Sequence, residues 1–255
     1  MSRIAVFLYG VVCYGVFLGV FLYAIGFVDN LGTPTALDGP PAQPLIAALA
    51  IDLGLLAVFA LQHSGMARPA FKRWWTRAVP EAAERSTYVL VSSLAMIALF
   101  LAWQPIGGTV WNVRDDGARV AIYAVYFAGW AVLLYATFLI DHFDLFGLKQ
   151  VWRAIAGKAY QTPQFRTPGL YKIVRHPLYV GWLMIFWATP EMTVAHLVFA
   201  VGTTGYILIA IQLEERDLVA LHGEKYVDYR RKTPMLVPGT KIARSSTPPE
   251  AARRV

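Results

Sequence analysis

The chain is 255 residues long, 57% hydrophobic and only 15% charged, with a positive mean hydropathy. Soluble domains carry about 25% charged residues, so an ordinary water-soluble enzyme is excluded in favour of an all-α, polytopic membrane protein. The formal net charge of +7 does not point to a nucleic-acid partner, because that function needs a basic face on a folded soluble domain. Cys13, the single cysteine, lies inside an apolar run and excludes a disulfide framework or a Cys-rich metal site.

A bilayer-spanning helix needs about 20 apolar residues at about 1.5 Å of rise each. Four stretches meet that requirement, at about residues 4–28, 45–62, 86–104 and 119–140. No small-residue cleavage site precedes the second stretch, so the first is expected to persist as a helix and not to act as a removable signal. Residues 29–44, rich in Pro and Gly, read as an extended loop. A fifth region differs: a short apolar run from Leu178 to Trp187, an interruption at 188–193, then a longer run from Val194 to Leu213. This pattern predicts a helical hairpin with one short arm, followed by a cytoplasmic helical segment. Residues 1–240 are expected to form one membrane domain, with 241–255 a disordered tail.

The charges divide between the connections. Residues 29–44 contain Asp29 and Asp38 and neither Lys nor Arg, whereas 63–85 are basic. The 105–118 connection with Arg119 is neutral, and residues 141–177 carry six Lys or Arg against two Asp. From Glu214 onward there are nine Lys or Arg against six acids. The positive-inside rule then places both termini and the two basic connections in the cytoplasm. Asp52 is the one formally charged residue within a span, and two readings stand for it: pairing with a polar neighbour, or part of an ion path.

The densest polar group lies between Thr167 and Pro238. Pro177 suits the first turn of a helix, which sets Arg175 and His176 at a helix N-terminus on the cytoplasmic interface, where free amides and the helix dipole favour an anion. The plainer alternative is an interfacial anchor, with Arg175 reaching lipid phosphate and Tyr179 in an aromatic belt. The other arm of the hairpin returns Glu214 and Glu215 to the same side. Adjacent glutamates point about 100° apart, so one of them is expected to face a ligand. Cationic groups, amides and an acid together complement an amino-acid nucleoside.

The run from Gly169 to Gly181, followed by Glu214-Glu215, His222-Gly223-Glu224-Lys225-Tyr226, Tyr229 and Thr233-Pro234, resembles the C-terminal signature of the isoprenylcysteine carboxyl methyltransferase superfamily. The resemblance implies a membrane-embedded methyltransferase that binds S-adenosylmethionine within about residues 165–238. Arg175, His176, Tyr179, Glu214, Glu215, Tyr226 and Tyr229 are the residues it implicates. Upstream, Gln62-His63-Ser64, Arg68-Pro69, Lys72-Arg73-Trp74-Trp75, Glu84-Arg85-Ser86-Thr87-Tyr88, Pro105 to Gly108 and Asp141 to Gly147 are similar to the bacterial methanethiol S-methyltransferases. That similarity implies methyl transfer to methanethiol, giving dimethyl sulfide and S-adenosylhomocysteine. Membrane proteins of the NnrU type share parts of the pattern.

A thiol with a Cys-like pKa of about 8.5 is mostly protonated at neutral pH, so a base is expected. His142, where the fourth span emerges, is the first candidate, with Asp141 and Asp144 nearby to orient it. His63, at the end of the second span, is the second. Each has a structural alternative, an interfacial histidine or one satisfying free carbonyls at a helix C-terminus. These residues lack metal-ligand spacing, so no metal is expected. His196 reads as structural, and the tryptophans Trp74, Trp75, Trp152 and Trp182 as interfacial anchors. Two competing functions remain: methylation of a lipid or prenylated carboxylate, and a transporter or accessory protein in which Asp52 serves an ion path.

Overall fold

The computed structural model describes residues 2–161 and 164–240, so the expected tail at 241–255 lies outside the described residues. Among the described residues, five long helices are apolar enough to cross a membrane: α1 (Arg3–Val28), α2 (Leu45–Ala67), α4 (Glu81–Ala102), α5 (Asp116–Leu139) and α9 (Val194–His222). The protein is an all-α integral-membrane bundle. Side chains such as Leu53, Leu61, Leu101, Phe127 and Ile209 point outward from these helices and are exposed, as lipid-facing residues should be. The interior is aromatic and aliphatic, built on Phe27, Phe100, Tyr126, Trp130, Ile185 and Phe199.

Short helices gather at one end of the bundle: α3 (Pro69–Trp75), α6 (His142–Leu145), α7 (Leu148–Ile155) and α10 (Glu224–Lys232). Both basic connections and the basic α10 lie at this end and make it the basic face of the bundle. Caps set several starts. Asp115 accepts from the Ala118 amide at α5, and Thr193 from the His196 amide at α9, each satisfying an orphan N–H.

The short arm is α8 (Pro177–Trp187), with Pro177 in its first turn. Eleven residues rise about 16 Å, roughly half of a bilayer core. Two features complete the crossing. The chain approaches the helix through a 3-10 turn at Gly169–Lys172, and from the Gly129–Gly181 contact α5 runs on to Leu139 while α8 reaches back only to Pro177. Past Trp187, the chain runs out as an extended strand. This strand, β2 (Glu191–Thr193), pairs antiparallel with β1 (Thr109–Asn112), matching Thr109 with Thr193 and Asn112 with Glu191. Sequence periodicity shows neither strand, because each is too short to alternate visibly.

Helix α8 packs along α5 through two glycines. A Cβ at Gly181 would lie 2.9 Å from both the Gly129 carbonyl oxygen and the Leu133 amide nitrogen, and one at Gly129 would lie 3.0 Å from the Gly181 carbonyl oxygen. This backbone-to-backbone approach fixes the depth of α8, and with it the depth of His176 at its N-cap.

Asp52 is fully buried, and its Oδ1 accepts the Gln104 amide at 2.8 Å. The amide becomes free because α4 ends at Ala102, so Asp52 has the polar-pairing role and closes a helix end inside the bundle. His196 is also fully buried and meets the Phe186 carbonyl through Nε2 at 3.0 Å, the structural placement expected for it.

Candidate functional site

Beneath the basic face, α8, α9 and α10 converge on Arg175 and His176. The Arg175 amide donates to the Pro234 carbonyl (2.8 Å) and the His176 amide to the Met235 carbonyl (3.2 Å), so the segment after α10 is stitched to the segment before α8. The Arg175 side chain is buried. Its Nε donates to Glu215 Oε1 (2.6 Å), and its Nη1 donates to the carbonyls of Thr233 (2.6 Å) and Arg230 (3.1 Å). His176 Nε2 meets the same Glu215 Oε1 at 3.1 Å. A buried cation is tolerable only when paired and hydrogen-bonded, and Glu215 supplies that pairing.

Glu214 has a different environment. Its side chain is 44% exposed, accepts from the Tyr179 hydroxyl at 3.1 Å and lies 3.9 Å from His176 Nδ1. Helical geometry explains the split. Taking Tyr206 as reference at about 100° per residue, Leu213 and Asp217 fall within about 20° of it, Glu214 about 80° away and Glu215 about 180° away. The Tyr206 stripe faces α2: Ser64 donates to the Tyr206 hydroxyl (3.2 Å), and Arg68 Nη1 donates to the Leu213 carbonyl (3.2 Å) and to Asp217 (2.7 Å). Glu215 faces α8 and α10. Glu214 therefore sits at the seam between the two groups, with Tyr88, Tyr179 and Tyr206 within its electrostatic reach.

Tyr226 and Tyr229 on α10 pack edge-on against Phe165, with centroids at 5.7 and 5.6 Å, and His222 packs on the same ring at 5.1 Å. Tyr226 is nearly fully buried, while Tyr229 donates to the Tyr171 carbonyl at 2.5 Å. Burial, opposed in part by the nearby Arg175 charge, pushes the Tyr229 phenol up to about 12. These two tyrosines tie the C-terminal segment to residues 164–172.

The two candidate bases lie in separate places. His142 is buried among Tyr14, Phe138, Phe143 and Phe146, stacked on Phe138 at 4.4 Å. Its Nδ1 meets the Thr137 hydroxyl (2.8 Å) and its Nε2 the Tyr14 hydroxyl (2.9 Å). The expectation that Asp141 and Asp144 orient it is corrected here. Asp141 adopts a left-handed conformation, φ 87°, that turns its carboxylate to Lys149 and the Asp144 amide. Asp144 accepts from Tyr160 (3.0 Å). Burial holds the His142 imidazole below its ordinary pKa.

His63 belongs to the α2, α4 and α9 side. Its Nε2 meets the Tyr88 hydroxyl at 2.8 Å, its Nδ1 meets Ser92 Oγ at 3.1 Å, and its ring stacks on Phe59 at 5.2 Å. Arg85 lies 5.7 Å from the Tyr88 ring centroid. In the sequence, Tyr88 stands out only as the end of a motif, and Tyr206 and Ser92 carry no signal there, because three helices distant in the chain bring them together. Among the described residues, no group of three or more His, Cys, Asp or Glu could hold a metal ion.

The chain is 56% identical over 238 residues to a methanethiol S-methyltransferase of Crocosphaera subtropica, covering 93% of both chains. The methanethiol S-methyltransferase of Mycobacterium tuberculosis is 50% identical over 238 residues, which cover 93% of this chain and 98% of that one. The chain belongs to the methanethiol S-methyltransferase family. A more distant relative of this family member is the bovine (Bos taurus) protein Nurim, 29% identical across 78% of this chain and 80% of its own. No family model and no solved structure matches this methanethiol S-methyltransferase family chain.

Proposed function

We propose that the protein transfers a methyl group from S-adenosylmethionine to the sulfur of methanethiol, giving dimethyl sulfide and S-adenosylhomocysteine, at a site opening to the cytoplasm. The observation that carries this reading is the division of labour between Glu215 and Glu214 in a chain so similar to named methanethiol S-methyltransferases. Glu215, Arg175 and His176 lock the floor of the site. Glu214 is left half-exposed with Tyr179 beside it. Such an acid fits the ammonium or ribose hydroxyls of an amino-acid nucleoside, and amides at the start of α8 fit its carboxylate.

When bound, S-adenosylmethionine supplies an electrophilic methyl on a sulfonium. The protein's own tasks are alignment, exclusion of water and removal of the acceptor's proton. Tyr226 and Tyr229 hold the 164–172 segment, whose Tyr171 lies within the electrostatic reach of Glu214. Of the two histidines, His63 adjoins the α9 stripe next to Glu214, so it takes the proton, while His142 and Asp141 order the α5 to α7 corner. The concentration of Lys and Arg at the basic face supports the reading of that face, both termini and the site as cytoplasmic in an inner-membrane protein.

The test is headspace gas chromatography on purified protein given S-adenosylmethionine and methanethiol, with Glu214→Gln as control. Dimethyl sulfide from wild type and a large loss in the variant is the expected result. Calorimetric binding of S-adenosylhomocysteine without dimethyl sulfide would move the acceptor to a lipid or another thiol. Absence of both would overturn the proposal.

A further inference from the structure

We infer that Tyr88, through its hydrogen bond to His63, is the residue that contacts the acceptor thiol and relays its proton inward. This inference rests on the proposed thiol methylation and goes beyond it by naming the contact and the route.

The proposed direction is that of the tautomer in which His63 Nδ1–H donates. Gln62 Nε2 donates to Ser92 Oγ at 3.3 Å. Ser92 Oγ is also 3.1 Å from His63 Nδ1, and with His63 Nδ1–H donating, one hydroxyl oxygen accepts from both side chains. The imidazole then keeps its Nε2 lone pair for the Tyr88 hydroxyl at 2.8 Å. Tyr88 is a donor to His63 in that tautomer, and its oxygen is left able to accept a proton from outside. Tyr88 and His63 are both partly exposed, but both imidazole nitrogens are engaged, Nε2 by the Tyr88 hydroxyl and Nδ1 by Ser92, so the ring offers an incoming thiol no free nitrogen and the proton reaches it through Tyr88.

The surroundings of Tyr88 suit a thiolate. Arg85, on its own helix, lies over the phenol ring at 5.7 Å, and Arg68, between α2 and α3, also acts on it electrostatically. Glu214 and Tyr206 on α9 and Tyr179 on α8 are further ionisable groups facing Tyr88, and Arg85 acts on His63 as well. Arg68 is paired with Asp217 at 2.7 Å, so Arg85 is the cation that favours negative charge on a sulfur held at Tyr88. Glu214 marks the nucleoside side of the seam, so an acceptor at Tyr88 is held between the base and the donor.

The step balances within the proposed reaction. The thiol S–H bond breaks as an O–H bond forms on Tyr88, whose own proton passes to His63 Nε2. The sulfur keeps the electron pair and uses it to form the bond to the transferred methyl, while the pair of the broken sulfonium bond leaves with the neutral thioether. The imidazolium returns its proton to solvent by the same path.

Tyr88→Phe keeps the ring and removes the relay, and His63→Gln keeps side-chain hydrogen bonding and removes the base. Both are compared with wild type in detergent for turnover against pH, for S-adenosylhomocysteine affinity by calorimetry, and for ultraviolet absorption of bound thiolate on adding methanethiol without cofactor. The expected result is a fall in kcat of about a hundredfold or more at neutral pH, a rate that climbs as pH rises toward the free thiol's own ionisation, unchanged calorimetric affinity and loss of the thiolate band. The double variant should be no slower than either single one.

Tyr88→Phe with wild-type kcat and pH profile would overturn the relay while leaving the methylation reading intact. So would loss of S-adenosylhomocysteine binding in a well-folded Tyr88→Phe protein, which would place Tyr88 in the nucleoside site. A wild type that binds the nucleoside but never methylates methanethiol would overturn both readings.

Discussion

Glu214 and Glu215 are consecutive in the chain yet occupy opposite environments: Glu215 is 5% exposed and shares Oε1 between Arg175 and His176, while the Glu214 side chain is 44% exposed and meets Tyr179. Their 100° separation on α9 turns one into the floor and the other toward the opening.

Substituting the two should therefore give different failures. Glu215→Gln strands the Arg175 cation in a buried setting, a change costing about 3–5 kcal/mol, and should show as a lower Tm and poor recovery of monodisperse protein. Glu214→Gln should leave Tm unchanged and weaken S-adenosylhomocysteine binding by about ten- to a hundredfold, the value of a hydrogen bond to a charged group. Equal Tm losses for the two variants would contradict the division of roles.

Gly181→Ala tests the close approach of α8 to α5. The added methyl has backbone on both sides, at 2.9 Å from the Gly129 oxygen and the Leu133 nitrogen, so no rotamer change relieves it and the helices must separate. Overpacking of this kind costs about 1–3 kcal/mol. Because α8 carries His176 at its N-cap, the shift should also loosen cofactor binding. Gly205→Ala on α9, where nothing lies within 4 Å of the new methyl, is the control and should be neutral or slightly stabilising. Matching thermal scans for the two variants would show that the glycine contact does not set the depth of α8.

How far the sequence could be read follows from where the information lies. Spans, loops and the short-armed hairpin were legible because bilayer thickness imposes a length on apolar runs. So was the meeting of Arg175 and His176 with Glu214 and Glu215, since a hairpin must return to the face it left. Which glutamate is buried was not legible: it depends on the rotation of α9, set by Ser64 and Arg68 at the distant end of α2. The Asp141 misreading has a local cause, since proximity along the chain suggested a partner for His142, whereas the left-handed turn at Asp141 points its carboxylate to Lys149. The His63, Tyr88 and Ser92 cluster joins α2 to α4, and neither helix alone carries its pattern.

His142→Ala should behave as a packing variant. The imidazole fills an aromatic box, with Phe138 at 4.4 Å and Phe146 at 4.8 Å, and removing a buried ring costs about 3–5 kcal/mol. Turnover per folded molecule should stay within about threefold of wild type, with an unchanged pH profile. Stability should carry a signature too. Burial pulls the folded imidazole below the unfolded value of about 6.5, so the unfolded state binds the extra proton. The contribution of a neutral His142 is then present above that value and lost as pH falls through the folded pKa. The Tm gap between wild type and His142→Ala should narrow on acidification from pH 7 to pH 5. A hundredfold loss of kcat in a stable variant would restore His142 as a base.

Asp29, at the opposite end of the bundle, gives the reverse pH dependence. Burial, only partly offset by the Thr189 hydroxyl, pushes its carboxyl up to about 6. Thr189 has one hydroxyl proton for two acceptors, Asp29 Oδ1 at 3.1 Å and the Glu191 carbonyl at 2.8 Å. A protonated Asp29 resolves the conflict by donating to Thr189, which then donates to Glu191. Since the folded pKa lies above the unfolded one, the protonated form's stabilisation is fully present below about pH 4 and lost as pH rises through about 6. Asparagine imitates the protonated acid, so Asp29→Asn should raise Tm by a few degrees at pH 8, an effect of up to about 3 kcal/mol, and lose that advantage below pH 4. A lower Tm for Asp29→Asn at pH 8 would show instead that the ionised carboxylate is held by Arg119, whose charge also acts on it, more strongly than burial opposes it.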